Sequence, residues 1–327
     1  TDYELYIKAP EGESAVRLAR TSSVPGTVVN YLHPEDKVYA FSGSYLCSPS
    51  IVKLPSGKII TSMDIYEGGT PQNLTLLMKS EDGGNTFSYL NELFPLFWAK
   101  LFWHKGALYA FGTSTEYGDL LIGKSLDEGE TWSQPTVIER GSCDPKKDGF
   151  HRAPTVFLNE NGMLLTAVEY GCRNDSEFKN ALVFAKEDAD LLDADSWTVS
   201  PFLPLPDQAK ALFPQKAGAI EGNLVMAPDG KLINFLRFEL NTAVLLKADI
   251  NHPESGFEFY KTIEFPMGHT KFEIQQKDSV YYAVGNRPPK RNILSLYTSK
   301  DLINWTLDRD ILNYETEDMT KVAFQYP

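Results

Sequence analysis

An octapeptide that returns at a fixed interval constrains this chain of 327 residues more than any other feature. It reads SEDGGNTF from Ser80 to Phe87 and SLDEGETW from Ser125 to Trp132, so Asp127 follows Asp82 by 45 residues. A degenerate copy, SKDLINWT, carries Ser299, Asp301 and Trp305, and weaker echoes end at Trp197 and Phe259. The closing aromatics Phe87, Trp132, Trp197, Phe259 and Trp305 are spaced 45, 65, 62 and 46 residues apart, the period of a four-stranded propeller blade. Within the motif, Ser and Asp side chains can bond nearby backbone N–H groups, Gly accepts a positive φ, and the aromatic packs between sheets. The octapeptide therefore builds a turn between outer strands and carries no chemistry.

Between the repeats, runs such as IVKLPSGKIITSMDIY, TVFLNENGMLLTAVEY and NLVMAPDGKLINFLRF each join two strand-like stretches through a Gly, Asn or Asp turn. The pattern predicts an all-β fold, a β-propeller of four-stranded antiparallel blades forming one domain over 1–327. The one helical stretch expected lies around KEDADLLDAD. Five complete meanders begin near Ser48, Phe97, His151, Glu221 and His269, and KVAFQYP reads as a sixth start. Residues 1–45, with YELYIKAP and AVRLARTS, would then help close the ring. Six blades are favoured on this reading, with five as the alternative.

The 31 Lys and Arg against 44 Asp and Glu give a net charge of -13, which disfavours a nucleic-acid partner. No apolar run reaches the ~20 residues needed for a membrane span. The N-terminus TDYELYIKAP has no leader-like pattern; removal of a leader before residue 1 stays open, and the expected location is secreted or periplasmic. Cys47, Cys143 and Cys172 lack CxxC spacing, so no zinc site is expected. A Cys143–Cys172 disulfide with Cys47 left over and three buried free thiols explain the count equally. No Gly-rich phosphate loop, HExxH, GxSxG or EF-hand spacing occurs, so no cofactor is expected; a structural calcium ion stays open without a pattern that calls for one.

In a propeller the innermost strand of each blade lines a central channel, so meander starts distant in sequence converge on one mouth. Those starts, and the ends of the strands that follow them, are rich in polar groups, as a carbohydrate-sized site requires. Glycosidic cleavage usually needs two carboxylates, and Glu221 and Glu169 rank above Asp64 for that work. Of five histidines, His151 and His269 sit at inner-strand starts and can pass protons near neutral pH; His104 reads as an exposed turn, and His33 and His252 as loop residues. Arg20, Arg152, Arg173, Arg237, Lys271, Arg287 and Arg291 form a cationic set suited to a carboxylate or sulfate, so the expected glycan partner is anionic. Asn286 and Gln325 complete the substrate-binding candidates, Trp98 is the candidate for stacking on a sugar face, and Trp103 is assigned to the core.

The octapeptides resemble the Asp-box, or BNR, repeats of the sialidase superfamily of β-propellers, over roughly residues 46–327. Phrases such as SPSIVKLPSGK, HRAPTVF, IEGNLVMAPDGK and KVAFQYP are similar to a bacterial sialidase-like, exo-α-sialidase group. True sialidases resemble one another in an Arg triad that grips a carboxylate, an Arg-Ile-Pro-like segment before the first Asp box, and a Tyr–Glu nucleophile pair. This chain has no Arg-Ile-Pro segment before Ser80. By residue type, Arg20, Arg152 and Arg237 correspond to the triad, and Tyr326 with Glu221 to the pair. The resemblance implies an exo-acting glycoside hydrolase that removes an acidic or modified terminal sugar. A polysaccharide lyase using a His or Tyr base on a uronate glycan is the alternative, and a non-catalytic glycan-binding propeller is a third.

Overall fold

A computed structural model describes residues 2–14, 17–20, 24–30, 45–66, 72–144, 146–173, 177–216, 218–288, 290–320 and 322–327. In the N-terminal segment β1 (Asp2–Leu5) pairs with β4 (Arg17–Arg20), and β2 (Lys8–Ala9) with β3 (Gly12–Glu13). Five antiparallel blades follow. Blade one is β5 (Tyr45–Lys53), β6 (Ile59–Tyr66), β7 (Thr75–Ser80) and β8 (Ser88–Leu93); blade two is β9 (Phe97–His104), β10 (Ala107–Thr113), β11 (Leu120–Ser125) and β12 (Thr136–Glu139). Blade three is β13 (Gly149–His151), β15 (Met163–Gly171), β16 (Lys179–Lys186) and β17 (Trp197–Val199), with β14 (Leu158–Glu160) also on β15. Blade four is β18 (Ile220–Met226), β19 (Leu232–Glu239), β20 (Thr242–Ala248) and β21 (Glu258–Glu264); blade five is β22 (Glu273–Lys277), β23 (Val280–Asn286), β24 (Ile293–Ser299) and β25 (Thr306–Asn313).

Among the described residues the blades therefore number five, the alternative reading, and not the favoured six. Residues 322–327 form no strand, and β1 to β4 pair among themselves without joining a blade. The stretch around KEDADLLDAD yields only a 3-10 turn at Ala194–Ser196, and the α-helix among the described residues is α1 (Asp207–Lys210). No helix among the described residues is long and apolar enough to cross a membrane.

The core lies in the seams between blades. Leu77, Leu101 and Leu108 join blades one and two; Phe111, Val168 and Val183 join two and three; Leu182, Leu224 and Leu236 join three and four; Phe235, Phe265 and Phe272 join four and five. No hydrophobic cluster among the described residues joins blade five to blade one.

The octapeptide turns have the mechanical role their residues imply. Asp82 Oδ1 accepts from Ser80 Oγ and Thr86 N at 2.8 and 2.9 Å, Oδ2 accepts from the Thr86 hydroxyl at 2.6 Å, and Gly84 N donates to Ser80 Oγ at 2.9 Å. The second turn repeats this, and the bonds from Thr131 hold the Asp127 carboxyl at about 2. In the degenerate copy Leu302, at φ 63°, takes the place of Gly129, at φ 98°. Its amide bonds Ser299 Oγ, and its carbonyl accepts Trp305 Nε1 at 3.2 Å as Gly129 accepts Trp132 Nε1 at 3.0 Å. The third turn is thus the same device one residue shorter.

Phe235 is fully buried, with ring centroids of Phe265, Phe272 and Trp305 at 4.8, 5.6 and 5.9 Å. Phe235→Ala should cost about 3–5 kcal/mol in urea unfolding; a loss below about 1 kcal/mol would show that this seam is not close-packed.

Candidate active site

Three inner strands carry the same irregularity near their start. Cys47 pairs with Asp64 and Ser50 with Ser62; Phe97 pairs with Thr113 and Lys100 with Phe111; Ile220 pairs with Arg237 and Asn223 with Phe235. Each strand thus has two residues opposite one, a β-bulge, which bends the strand and re-aims a side chain. The bulges put Ser48, Trp98 and Glu221 in the left-handed region at φ 49°, 52° and 57°. A non-glycine residue held there costs on the order of 1–3 kcal/mol, so the surroundings must impose it.

Side chains of the preceding blade do so in two cases. Asp64 Oδ2 in blade one accepts the Trp98 amide of blade two at 2.7 Å. Glu169 Oε1 in blade three accepts the Gly222 amide of blade four at 3.2 Å, next to Glu221. Both carboxylates are fully buried.

The bulged residues face a cavity of about 1310 Å³ at the channel mouth. Glu221 Oε2 accepts from Arg237 Nη1 at 2.8 Å. Tyr326 adjoins both: the Glu221 charge and burial push its phenol up to about 12, against the pull of Arg237. Across the mouth His151 Nδ1 donates to Glu169 Oε2 at 2.8 Å, which fixes the ring and leaves Nε2 for the cavity. The imidazole packs among Trp98, Phe178 and Tyr117, with centroids at 4.5, 5.2 and 6.4 Å. Lys100, Arg173, Lys271 and Arg291 add positive charge to the lining. Lys271 Nζ donates to Glu273 Oε2 at 3.2 Å and to the Pro327 carbonyl at 2.6 Å, and Arg291 bonds Gln325, tying the C-terminal tail to the mouth.

The structure brings together Glu221, His151, Tyr326, Arg237, Lys271, Trp98 and Gln325 as cavity-lining residues. Glu169 and Asp64 lie behind the lining and hold it. Arg152 is fully buried, with Nη1 on the Phe111 carbonyl at 2.7 Å and its guanidinium 4.8 Å from the Phe111 ring; burial lowers its pKa to about 9, leaving a cation that faces Glu169 and Asp64. His269 is outside the lining, and burial followed by the charges of Arg291 and Arg237 lowers its pKa. Asn286 is spent on the carbonyls of Arg291 and Phe324, and Arg287 makes a fork to Asp310 at 3.1 and 2.9 Å, so neither lines the cavity. The Arg20 side chain and His33 lie outside the described residues.

His252 lies in a loop as expected, whereas His104, expected at an exposed turn, is buried with Nε2 on the Glu187 carbonyl at 2.7 Å. Trp103 packs against the core of blades one and two. Cys143 and Cys172 form no disulfide; all three cysteines are thiols, and Cys143 is exposed. Sequence reasoning did not select Ser50, Lys100, Phe178 and Glu273, whose only signal was a place near a strand start or in a following loop. Among the described residues, no group of three or more His, Cys, Asp or Glu side chains could hold a metal ion.

No protein-family model and no curated protein matches the chain. Solved structures do. An α-L-arabinanase of Penicillium chrysogenum complexed with arabinobiose aligns with a TM-score of 0.56 and 14% identity, over 88% of this chain and 86% of that one. An α-L-arabinofuranosidase of Fusarium graminearum aligns at 0.54 and 12%, over 86% and 83%, and an ulvan lyase of polysaccharide lyase family 25 at 0.53 and 14%, over 81% and 69%. At these identities the likeness is one of β-propeller fold. None of the three is a sialidase, so the Asp-box resemblance stands on the octapeptides alone.

Burial raises the Asp64 carboxyl from its ordinary 3.8 to about 8, against the bonds from Thr75 and Trp98. Thr75 Oγ1 lies 2.6 Å from Asp64 Oδ1 and 3.0 Å from the Leu96 carbonyl; its one hydrogen serves one of them, and a proton on Asp64 makes both contacts hydrogen bonds. Because the folded value is raised, this group's contribution to stability is complete below a pH of about 4 and is lost as pH rises through about 8. Asp64→Asn reproduces the protonated acid, so its melting temperature should fall less than the wild type's between pH 5 and pH 9, on the order of a few degrees less. Parallel melting curves against pH would rule out a protonated Asp64.

Proposed function

We propose that the protein is a carbohydrate-active enzyme, an exo-acting glycoside hydrolase that removes an acidic sugar from a glycan. The observation that carries this reading is the Glu221–Arg237–Tyr326 group in a cavity whose lining also holds Lys100, Arg173, Lys271 and Arg291 against the one further carboxylate Glu273. Cations gathered in one cavity of a chain with net charge -13 favour an anionic ligand. The similar folds named as an arabinanase and an arabinofuranosidase lend support to glycan hydrolysis.

A phenol held near 12 is protonated at neutral pH and needs a base. Glu221 takes the phenolic proton as the Tyr326 oxygen attacks the anomeric carbon. The bond to the leaving oxygen breaks, and His151 Nε2, steadied through Nδ1 by Glu169, protonates that oxygen. Water then attacks the same carbon and the bond from that carbon to the Tyr326 oxygen breaks; the water gives its proton to His151, and Glu221 returns its proton to the Tyr326 oxygen. Arginines hold the sugar's carboxylate in a planar fork.

The His151–Glu169 pair favours a second reading, a polysaccharide lyase. There His151 removes the proton α to a uronate carboxylate that the cations neutralise, and the leaving oxygen departs with an unsaturated sugar formed.

A panel of sialosides, uronic-acid glycans and sulfated glycans, followed by reducing sugar and ultraviolet absorbance, separates the two. Hydrolysis gives reducing ends without absorbance, and Tyr326→Phe and Glu221→Gln should each lower kcat by at least about 100-fold. Both signals rising together, with His151→Asn the more damaging change, would replace the hydrolase by the lyase.

A further inference from the structure

Below the mouth the channel wall carries a second polar layer. Lys100 lies two residues beyond Trp98 on β9, about 7 Å further along the strand, and still lines the cavity. Among the described residues it makes no ion pair. The carboxylate whose charge it feels, Glu273, is engaged by Lys271 Nζ at 3.2 Å and by Gln275 Nε2 at 2.9 Å. Burial lowers the Lys100 pKa, Glu273 opposes, and the cations Lys271 and Arg152 add to the fall.

Two hydroxyls stand in the same lining. Ser50 and Ser62 are direct partners across β5 and β6 and so share a face. Ser50 Oγ accepts the amide of Leu101, beside Lys100, at 3.0 Å, and its own hydrogen is left to donate. Ser62 is 1% exposed, and its Oγ has no hydrogen-bond partner among the described residues.

We propose that Lys100, Ser50 and Ser62 form a second anion subsite, one layer below the mouth, that takes a sulfate ester of the glycan. This rests on the reading of the cavity as a glycan site and narrows its substrate to a sugar chain bearing a carboxylate and a sulfate. The division of chemistry follows the donors. A guanidinium's planar fork fits a carboxylate, whereas an ammonium is a point charge whose three donors, with hydroxyls beside it, suit a tetrahedral oxyanion. A largely buried ammonium with no carboxylate paired to it among the described residues is costly, and an anion beside it offsets that cost.

Calorimetric titration of the whole protein with inorganic sulfate and, separately, with glucuronate tests the assignment. Lys100→Met should weaken sulfate binding at least about tenfold and leave glucuronate within about twofold, while Lys100→Arg keeps most of the sulfate affinity. Arg291→Met, at the mouth, should do the reverse. Removing a poorly paired charge should leave the melting temperature of Lys100→Met unlowered, and Lys100→Gln is a second check that the fold survives. Wild-type sulfate affinity in Lys100→Met, no sulfate binding by the wild type, unfolding of both neutral variants, or a loss confined to glucuronate would each overturn the subsite. The titrations need no turnover: glycans that resist cleavage while sulfate binds at Lys100 would defeat the hydrolase and leave this subsite standing.

Discussion

The site depends on buried acid side chains that reach from one blade to the backbone of the next. Inner strands of neighbouring blades radiate from the channel and do not share a ladder, so amides at their irregular starts have no sheet partner. A buried amide left unmatched costs about 1–3 kcal/mol. Asp64 supplies the partner for Trp98, and Glu169 for Gly222. Ser50 does the same for Leu101, and Asn223 for Ile274 at 3.2 Å. Glu169 also holds His151, so one buried side chain sets the angle of two cavity-facing groups on different blades. Hydrophobic seams bring the blades together; these polar ties decide how the mouth is shaped.

Electrostatics divides the same way. The chain as a whole has a net charge of -13, while the cavity collects Lys100, Arg173, Arg237, Lys271 and Arg291 against Glu221 and Glu273. Arg152 stands behind as a buried cation facing Glu169, balancing a carboxylate that would otherwise be isolated in an apolar wall. Asp64 manages its burial differently, by keeping its proton. Two acids chosen from the chain for glycosidic work thus stand behind the lining, bonded to the backbone of the residues in front of them.

Strand placement was legible because the octapeptide is a local device. Its Ser, Asp and Gly bond one another within a few residues, and no distant contact is needed to read it. The blade starts at Ser48, Phe97, His151 and Glu221 follow from that period. Whether the ring takes a sixth blade was not local: KVAFQYP has the composition of a strand, yet the Phe324 amide donates to the Arg291 carbonyl and Pro327 accepts from Lys271, so its described residues 322–327 lie against the mouth. His104 was misread for a similar reason. It sits at a turn, and only the approach of the Glu187 carbonyl from blade three buries it.

By itself the sequence determined the class of fold, the spacing of the blades and the short list of residues able to do proton or anion chemistry, because periodicity and side-chain type are properties of neighbours along the chain. Tertiary structure alone decided which of them meet. A bulge on each of two strands turns Trp98 and Glu221 into the cavity, Asp64 and Glu169 on the strands beside them stay behind its lining, and fork pairing draws Arg287 away to Asp310. Orientation at a propeller mouth is set by contacts between blades 50 or so residues apart, and no local pattern encodes those.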